Sequence, residues 1–422
     1  MDRDVHFKKD VVLEYQGHSI RLRVAQDLFS SFEIDAGTRM LLRSLAESDT
    51  GRFRKVLDLG CGYGPLGLAL KAADPGRQVH MVDRDALAVE YTRQNATLNG
   101  LTGVQTYGSL GYDDVPDRDF DLIVSNIPGK AGDAVLSHLL LDAALHLKPG
   151  GLLAVVVVAP IAPAIEGTLG SAPNGEVVFR KATRSYVVAH CRFNPPDPRP
   201  ELAAGGFDRG VYHRNDLQVD IEDAAYALET AYGLPEFDSA GFQSELLIAA
   251  ARGLRGPAVE RALFLNPGQG HVPVAIWKLL KPRSIDLVDR DLLGLRYGRK
   301  NLALNGCPGG QVTTSHQVGV VADGDQRYDL VAGVLRESEG SAYHSLMLEQ
   351  AAPMVSGRGR VIVAASSTAV TRLVKQLRPP APLRVQKRRR KKGNAVLLLA
   401  PPPRRLSARG SRMTAAPWTA IP

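Results

Sequence analysis

The tetrapeptide Asn126-Ile127-Pro128-Gly129 follows the short apolar run FDLIVS, which has the length and composition of a buried strand. An asparagine amide oxygen beside a main-chain carbonyl sets two hydrogen-bond acceptors side by side, and Pro128 would stiffen the loop that holds Asn126 and the Ile127 carbonyl. The competing expectation is that Asn126 only caps the turn before the segment GDAVLSHLLLDAALHL.

A second constellation lies upstream, in VLDLGCGYGPLG at 56–67. Its glycines would let backbone approach a ligand, with free amides at the start of the following helix facing it. Asp83 ends the next apolar run, 19 residues beyond Gly64, where a carboxylate can accept both hydroxyls of a ribose. Asp58 departs from a dinucleotide fingerprint, because a carboxylate on the first strand could meet a cationic amino group, directly or through water. Cys61 is expected to be a small packing residue whose backbone amide matters more than its thiol.

The elements that position these residues come twice. VDRDALAVEYTRQNATLNG (82–100) aligns without gaps on VDRDLLGLRYGRKNLALNG (288–306), with 11 of 19 positions identical at an offset of 206. The same offset sets the glycine loop on LFLNPGQGHVP (263–273), and an offset of 208 sets FDLIVS on YDLVAG (328–333). Within each copy, β-rich runs alternate with helical periodicity, which implies an α/β fold of two tandem Rossmann-like domains, each a mainly parallel, doubly wound sheet. RSYVVAH (184–190) and NAVLLLA (394–400) end the two copies. The expected division is a catalytic domain at 1–193, a proline-rich linker at 194–206, a degenerate domain at 207–400 and a disordered basic tail at 401–422.

VLDLGCGYGPLG, followed by VDRD and SNIPGKAG, resembles the class I S-adenosylmethionine-dependent methyltransferases, and within them the small-domain group similar to bacterial RNA guanine-N2 methyltransferases. The resemblance implies that Asp58, Gly60, Cys61, Gly62 and Gly64 surround the methionine part of the cofactor and that Asp83 binds its ribose. It places Ser109 where the family often carries an acid near the adenine, and Asn126, Ile127 and Pro128 at the acceptor amine. It implies that Asn126 and the Ile127 carbonyl accept hydrogen bonds from an exocyclic amine whose lone pair is delocalised into a ring, favouring a more tetrahedral nitrogen without a covalent step or a strong base. The family's motif ends in an aromatic that sandwiches the target base. Here Gly129 stands instead, with Phe29, Phe32 and Tyr63 as nearby substitutes. Duplicated relatives usually keep activity in the C-terminal half, and this chain is inverted: Phe264, Asn266 and Pro267 replace Asp58, Gly60 and Cys61, and Val334 and Arg336 replace Asn126 and Pro128. Asp289 survives, but is expected to cap a helix or face solvent, and His271 to be a satisfied core histidine.

The chain has 422 residues with 44% hydrophobic and 23% charged, as an ordinary globular protein does, and a formal charge of +8. That charge is local, since eleven cations and no acid lie between Arg384 and Arg412. The run Lys387, Arg388, Arg389, Arg390, Lys391 and Lys392 is expected in a hairpin loop, either contacting RNA phosphates or simply solvated. Cys61, Cys191 and Cys307 lie too far apart in sequence for a metal or disulfide framework. The region Asp2 to Asp10 lacks an apolar signal core, and the apolar run Leu152 to Ala159 is too short to span a bilayer. A cytoplasmic enzyme without metal or membrane partner is expected, methylating a guanine amine of rRNA or tRNA with S-adenosyl-L-methionine. A methyltransferase for protein amides or small molecules, and a non-catalytic cofactor- or RNA-binding protein, remain the alternatives.

Overall fold

A computed structural model describes residues 4–47, 53–194, 204–254, 258–321, 326–377 and 381–402. The first half begins with a hairpin, β1 (Phe7–Tyr15) and β2 (His18–Ala25), and helix α1 (Ala36–Glu47). It continues through β3 (Lys55–Leu59), α2 (Pro65–Ala73), β4 (Gln78–Asp83), α3 (Ala86–Leu98), β5 (Val104–Gly108) and β6 (Phe120–Asn126). Then follow α4 (Asp133–Leu141), α5 (Ala143–His146), β7 (Leu147–Val158), α6 (Ala162–Gly170), β8 (Gly175–Ala182) and β9 (Tyr186–Phe193). The second half repeats the plan with hairpin β10 (His213–Ile221) and β11 (Ala224–Ala231), α7 (Phe242–Arg252), β12 (Arg261–Leu265), α8 (His271–Leu280), β13 (Ser284–Asp289) and α9 (Leu292–Leu304). It closes with β14 (Val312–His316), β15 (Tyr328–Val334), α10 (Gly340–Ala351), β16 (Val355–Ser366), α11 (Ser367–Gln376), β17 (Arg384–Lys391) and β18 (Asn394–Ala400).

Each half forms a seven-stranded sheet, ordered β5-β4-β3-β6-β7-β9-β8 and β14-β13-β12-β15-β16-β18-β17. Only β9 in the first sheet, and β18 in the second, run against their neighbours. The two tandem Rossmann-like domains expected from the repeat are present. The central strands are apolar on both faces because helices cover both, with Val56 and Leu57 fully buried. Strand order reverses between β3 and β6, so a crevice opens at their carboxyl ends, where Gly60 and Asn126 stand.

The best-preserved part of the repeat holds the halves together. The amide of Ala86 donates to the carbonyl of Arg290 at 2.8 Å, and that of Leu292 to the carbonyl of Arg84 at 3.0 Å. Arg84 pairs with Asp291 at 2.9 Å and Arg290 with Asp85 at 3.2 Å. His316 Nε2 lies 2.9 Å from both arginine carbonyls. Tyr212, Ala231, Leu234, Leu293 and Tyr297 of the second half join the core around Leu110, Leu139 and Val82. Asn95 and Asn99 bracket the backbone of β2 as Asn301 and Asn305 bracket that of β11, so the repeated asparagines serve the scaffold.

Two expectations need correction. The basic run is not a hairpin loop: Arg384–Lys391 is the edge strand β17, with only Lys392 and Gly393 in the turn. Consecutive cations hide a strand's alternation, yet an edge strand tolerates them and charge there discourages sheet-to-sheet aggregation. Asp289 neither faces solvent nor only caps a helix. It is 2% exposed, and both its oxygens accept from Arg336 Nη2 at 2.8 and 2.7 Å. The strands β8 and β17 and both leading hairpins have no counterpart in the sequence reading. His271 is satisfied as expected, between Tyr226 and the Glu236 carbonyl. Positions 195–203 of the linker and 403–422 of the tail lie outside the described residues.

Candidate active site

A cavity of about 550 Å³ occupies the crevice of the first sheet. Strand order arranges its wall: Ser109, Leu110 and Gly111 follow β5, Asp83 ends β4, Gly60 to Tyr63 follow β3, and Asn126 ends β6 with Ile127 to Lys130 after it. Asp27 to Ser30, Asp35, Thr38 and Tyr186 close one side, and Arg84, Tyr212 and Gly233 the other.

The glycine loop holds itself. Gly60 and Cys61 donate their amides to the Val82 carbonyl at 2.9 Å each, Gly64 to the Cys61 carbonyl at 2.9 Å, and Gly62 to Asp83 Oδ2 at 2.9 Å. The expectation that the Cys61 amide faces a ligand is therefore corrected, because that amide is consumed by the neighbouring strand. What Gly60 and Gly62 present is open space: both have positive φ, 77° and 58°, and a Cβ on either would meet nothing within 4 Å. Gly64 does not line the cavity. Its φ of 93° starts α2, and a Cβ there would press on Leu68. The Cys61 thiol lies 3.5 Å from Thr92 Oγ1, and burial pushes its pKa well up, so it remains a neutral packing group.

Asp58 lies behind the loop rather than on the cavity wall. Its Oδ2 accepts from the Gly67 amide at 2.8 Å, while Oδ1 is buried without a partner. Burial pushes it up to about 7, against the pull of the Gly67 amide and with a further push from Asp83. Asp83 is on the wall, with Oδ1 accepting from Asp85 N at 2.9 Å, and burial raises its pKa too. Ser109 is 2% exposed and its hydroxyl closes its own turn, donating to Gly111 O at 2.7 Å and accepting from Asp114 N at 3.1 Å. It does not reproduce an acid at that position.

Asn126 Nδ2 donates to Asp35 Oδ2 at 3.0 Å and to Thr38 Oγ1 at 3.1 Å. A carboxylate can only accept these bonds, so the amide is oriented and Oδ1 is left as an acceptor. Asp35 also caps α1, accepting from Thr38 N at 3.0 Å, and accepts from the Tyr186 hydroxyl at 2.9 Å. That last bond raises the Tyr186 pKa, with burial adding to it. Gly37 makes room for the tyrosine, since a Cβ there would come within 2.7 Å of its ring. Asp35, Thr38 and Tyr186 were missed in sequence; EIDAGTRM carried the signal, as an acid three residues before Thr38 at a helix start.

Ile127 is buried, its amide bonded to Val156 O at 2.9 Å, and Pro128 is exposed beside it. Gly129 is exposed, and a Cβ there would meet only Val158, at 3.2 Å. Of the three substitute aromatics, Phe29 is on the wall and 71% exposed, Tyr63 is on the wall but 2% exposed, and Phe32 lies outside under Lys8. In the second half the corresponding corner is filled by the Asp289–Arg336 pair and by the bond from Asn266 Nδ2 to Val334 O at 3.0 Å. The cations Lys387, Arg389 and Arg390 have no ionic partner among the described residues, whereas Arg388 donates to Thr371, Lys391 pairs with Glu245, and Lys392 lies over Phe242.

Residues 19–174 match the family model of the methyltransferase small domain. Over 131 residues the chain is 38% identical to the uncharacterized protein YbxB of Bacillus subtilis, covering 31% of this chain and 64% of that protein. It is 38% identical over 133 residues to ribosomal RNA small subunit methyltransferase C of Haemophilus influenzae, and 33% over 157 to ribosomal RNA large subunit methyltransferase G of Shewanella amazonensis. Those matches cover 31% and 35% of this chain and 39% and 40% of the relatives. The whole two-domain architecture recurs in a 16S rRNA N2 methyltransferase of T. thermophilus solved with AdoMet and guanosine, at a TM-score of 0.63 and 18% identity, over 93% of this chain and 98% of that one. Among the described residues no helix is long and apolar enough to cross a membrane. The match to the methyltransferase small domain model lies within the first half of this chain, across the strands and loops that build the crevice.

Proposed function

We propose that the first half binds S-adenosyl-L-methionine in its crevice and transfers the methyl group to the exocyclic N2 amine of a guanine in ribosomal RNA, with transfer RNA as the other candidate substrate. The observation that carries this is the oriented Asn126 amide, whose Nδ2 is held by Asp35 and Thr38 while Oδ1 remains to accept. The cofactor fits the residues present: Gly60 and Gly62 leave a cradle that side chains would fill, and Asp58 Oδ1 is a buried acceptor without a partner. When bound, the cofactor supplies an electrophilic methyl on a sulfonium. Asp83 would hold the ribose hydroxyls, and Gly60, Cys61 and Gly62 would pack against the methionine part, with Asp58 behind them acting on its amino group through water. Asn126 Oδ1 and the Ile127 carbonyl would accept hydrogen bonds from the two amine N–H groups, so that the nitrogen lone pair points along the line of transfer; the N–C bond would form as the S–C bond breaks, leaving S-adenosylhomocysteine, and the methylated nitrogen would lose one proton to solvent. Phe29 would stack on the base in place of the aromatic that Gly129 cannot provide.

The relatives named as ribosomal RNA methyltransferases, and the guanosine bound in the T. thermophilus structure, support this choice of acceptor. The second half would dock RNA through Lys387, Arg389 and Arg390 on the edge strand β17, where three unpaired cations can follow a phosphate backbone. The three free, buried cysteines suit a reducing cytoplasm. A radiolabelled methyl donor offered with total RNA and total protein tests the reading: label in RNA is expected, and label only in protein or small molecules overturns it. Asn126→Ala is expected to lower transfer by about 10²–10³-fold, the scale of one lost group that stabilises the transition state, with cofactor binding retained.

A further inference from the structure

The nucleobase end of the crevice is not built by the first half alone. Reading across the sheet, the loop after β3 would face the methionine part of the cofactor, Asp83 the ribose, and Ser109 to Gly111 the base beyond it. Tyr212, which precedes the second domain's first strand, is part of that last wall. It is 5% exposed, and its hydroxyl is a buried polar atom without a hydrogen-bond partner. An unsatisfied buried hydroxyl costs roughly 1–3 kcal/mol, so its retention beside a ligand cavity calls for a use.

The surroundings hold it in place. The Tyr212 carbonyl accepts from Tyr232 N at 3.0 Å, and its ring meets His138 edge-on at 6.2 Å between centroids. Gly111, at φ 57°, has no side chain to interfere, since a Cβ there would lie 3.3 Å from the Tyr212 hydroxyl. Gly233 joins the same wall, and its carbonyl accepts from Arg84 Nη2 at 2.8 Å, with the same guanidinium nitrogen 2.9 Å from Asp291. Ser109, which the sequence offered for this end, already spends its hydroxyl on Gly111 and Asp114. Burial raises the Tyr212 pKa, so the hydroxyl stays protonated and can donate.

We infer that Tyr212 hydrogen-bonds the adenine of the cofactor, so that the degenerate half contributes a binding residue to the catalytic half's site. This rests on the cofactor reading above. The experiment is calorimetry on the full chain with S-adenosylhomocysteine and with 5′-methylthioadenosine, comparing the parent with Tyr212→Phe, together with the melting temperature of each ligand-free protein. The expected result is an affinity about 5- to 10-fold weaker for both probes, the scale of one buried hydrogen bond, with the ligand-free melting temperature unchanged or raised because an orphaned hydroxyl has been removed. Equal affinity in parent and variant overturns the inference. So does a loss of affinity accompanied by a lower ligand-free melting temperature, which marks a structural role. Failure of the parent to bind either probe would instead sink the cofactor reading itself.

Discussion

Asn126→Asp turns the orienting contact of the active site into a pair of carboxylates. Asp35 Oδ2 lies 3.0 Å from Asn126 Nδ2, and an oxygen introduced at that position takes the nitrogen's place. Two unit charges 3.0 Å apart repel by roughly 5 kcal/mol at an effective dielectric of about 20. Asn126 is only partly buried and opens on the crevice, so solvent and relaxation remove about half of this, leaving roughly 2–3 kcal/mol. One proton is then shared across the pair, and it is held in the folded chain to a pH about two units above the ordinary carboxylate range. In that window the folded state binds more protons than the unfolded state, so stability relative to the parent falls as pH rises through it and levels off above. Thermal unfolding of both proteins from pH 4.5 to 8.5 is the assay. The two should melt nearly together at the acid end and diverge by roughly 5–10 °C at the alkaline end. Curves that stay parallel over the whole range would show that Asp35 does not hold the Asn126 amide.

Phe29→Ala should raise the RNA KM and lower kcat/KM by about tenfold, the scale of one lost stacking contact, without changing cofactor affinity in calorimetry. Because burial pushes Asp58 up to about 7, binding of a cationic amino group should release a proton near neutrality. Cofactor affinity then rises between pH 6 and 8, and Asp58→Asn removes the slope; for the ligand-free chain the raised value has the opposite consequence, a loss of stability as pH climbs from about 4 to about 7. Replacing Lys387, Arg389 and Arg390 together with Gln should reduce the slope of log affinity for RNA against log salt by about two to three, read from filter binding, while cofactor affinity is unchanged.

Much of the fold was legible because the chain is duplicated: a register kept over two copies locates strands and helices that one copy leaves ambiguous. The leading hairpins were not, since they are tied to α3 and α9 by single asparagine side chains far away in sequence. The edge strand β17 was hidden by its charge, which belongs to no period-two pattern. At the site, Asp83, Asn126 and the glycines at 60 and 62 were legible from their types and order. Asp35 and Tyr186 act by holding Asn126, and Tyr212 belongs to the other half of the chain, so no local pattern connects them with the loop. The reverse error occurred at Gly64, which starts the helix and does not line the cavity, and at the Cys61 amide, which the neighbouring strand takes although the residue itself lines the wall.

The paired bonds between Ala86 and Arg290 and between Leu292 and Arg84 join positions that are each other's copies at the repeat's own spacing. Two identical subunits meeting about a two-fold axis make such an isologous contact, with one patch answering itself. The chain therefore holds, within a single polypeptide, the contact geometry of a homodimer. The two halves differ where the crevice lies and agree where they touch. In the second half the glycine loop and the acceptor corner are altered, while the segment that grips the first half is kept.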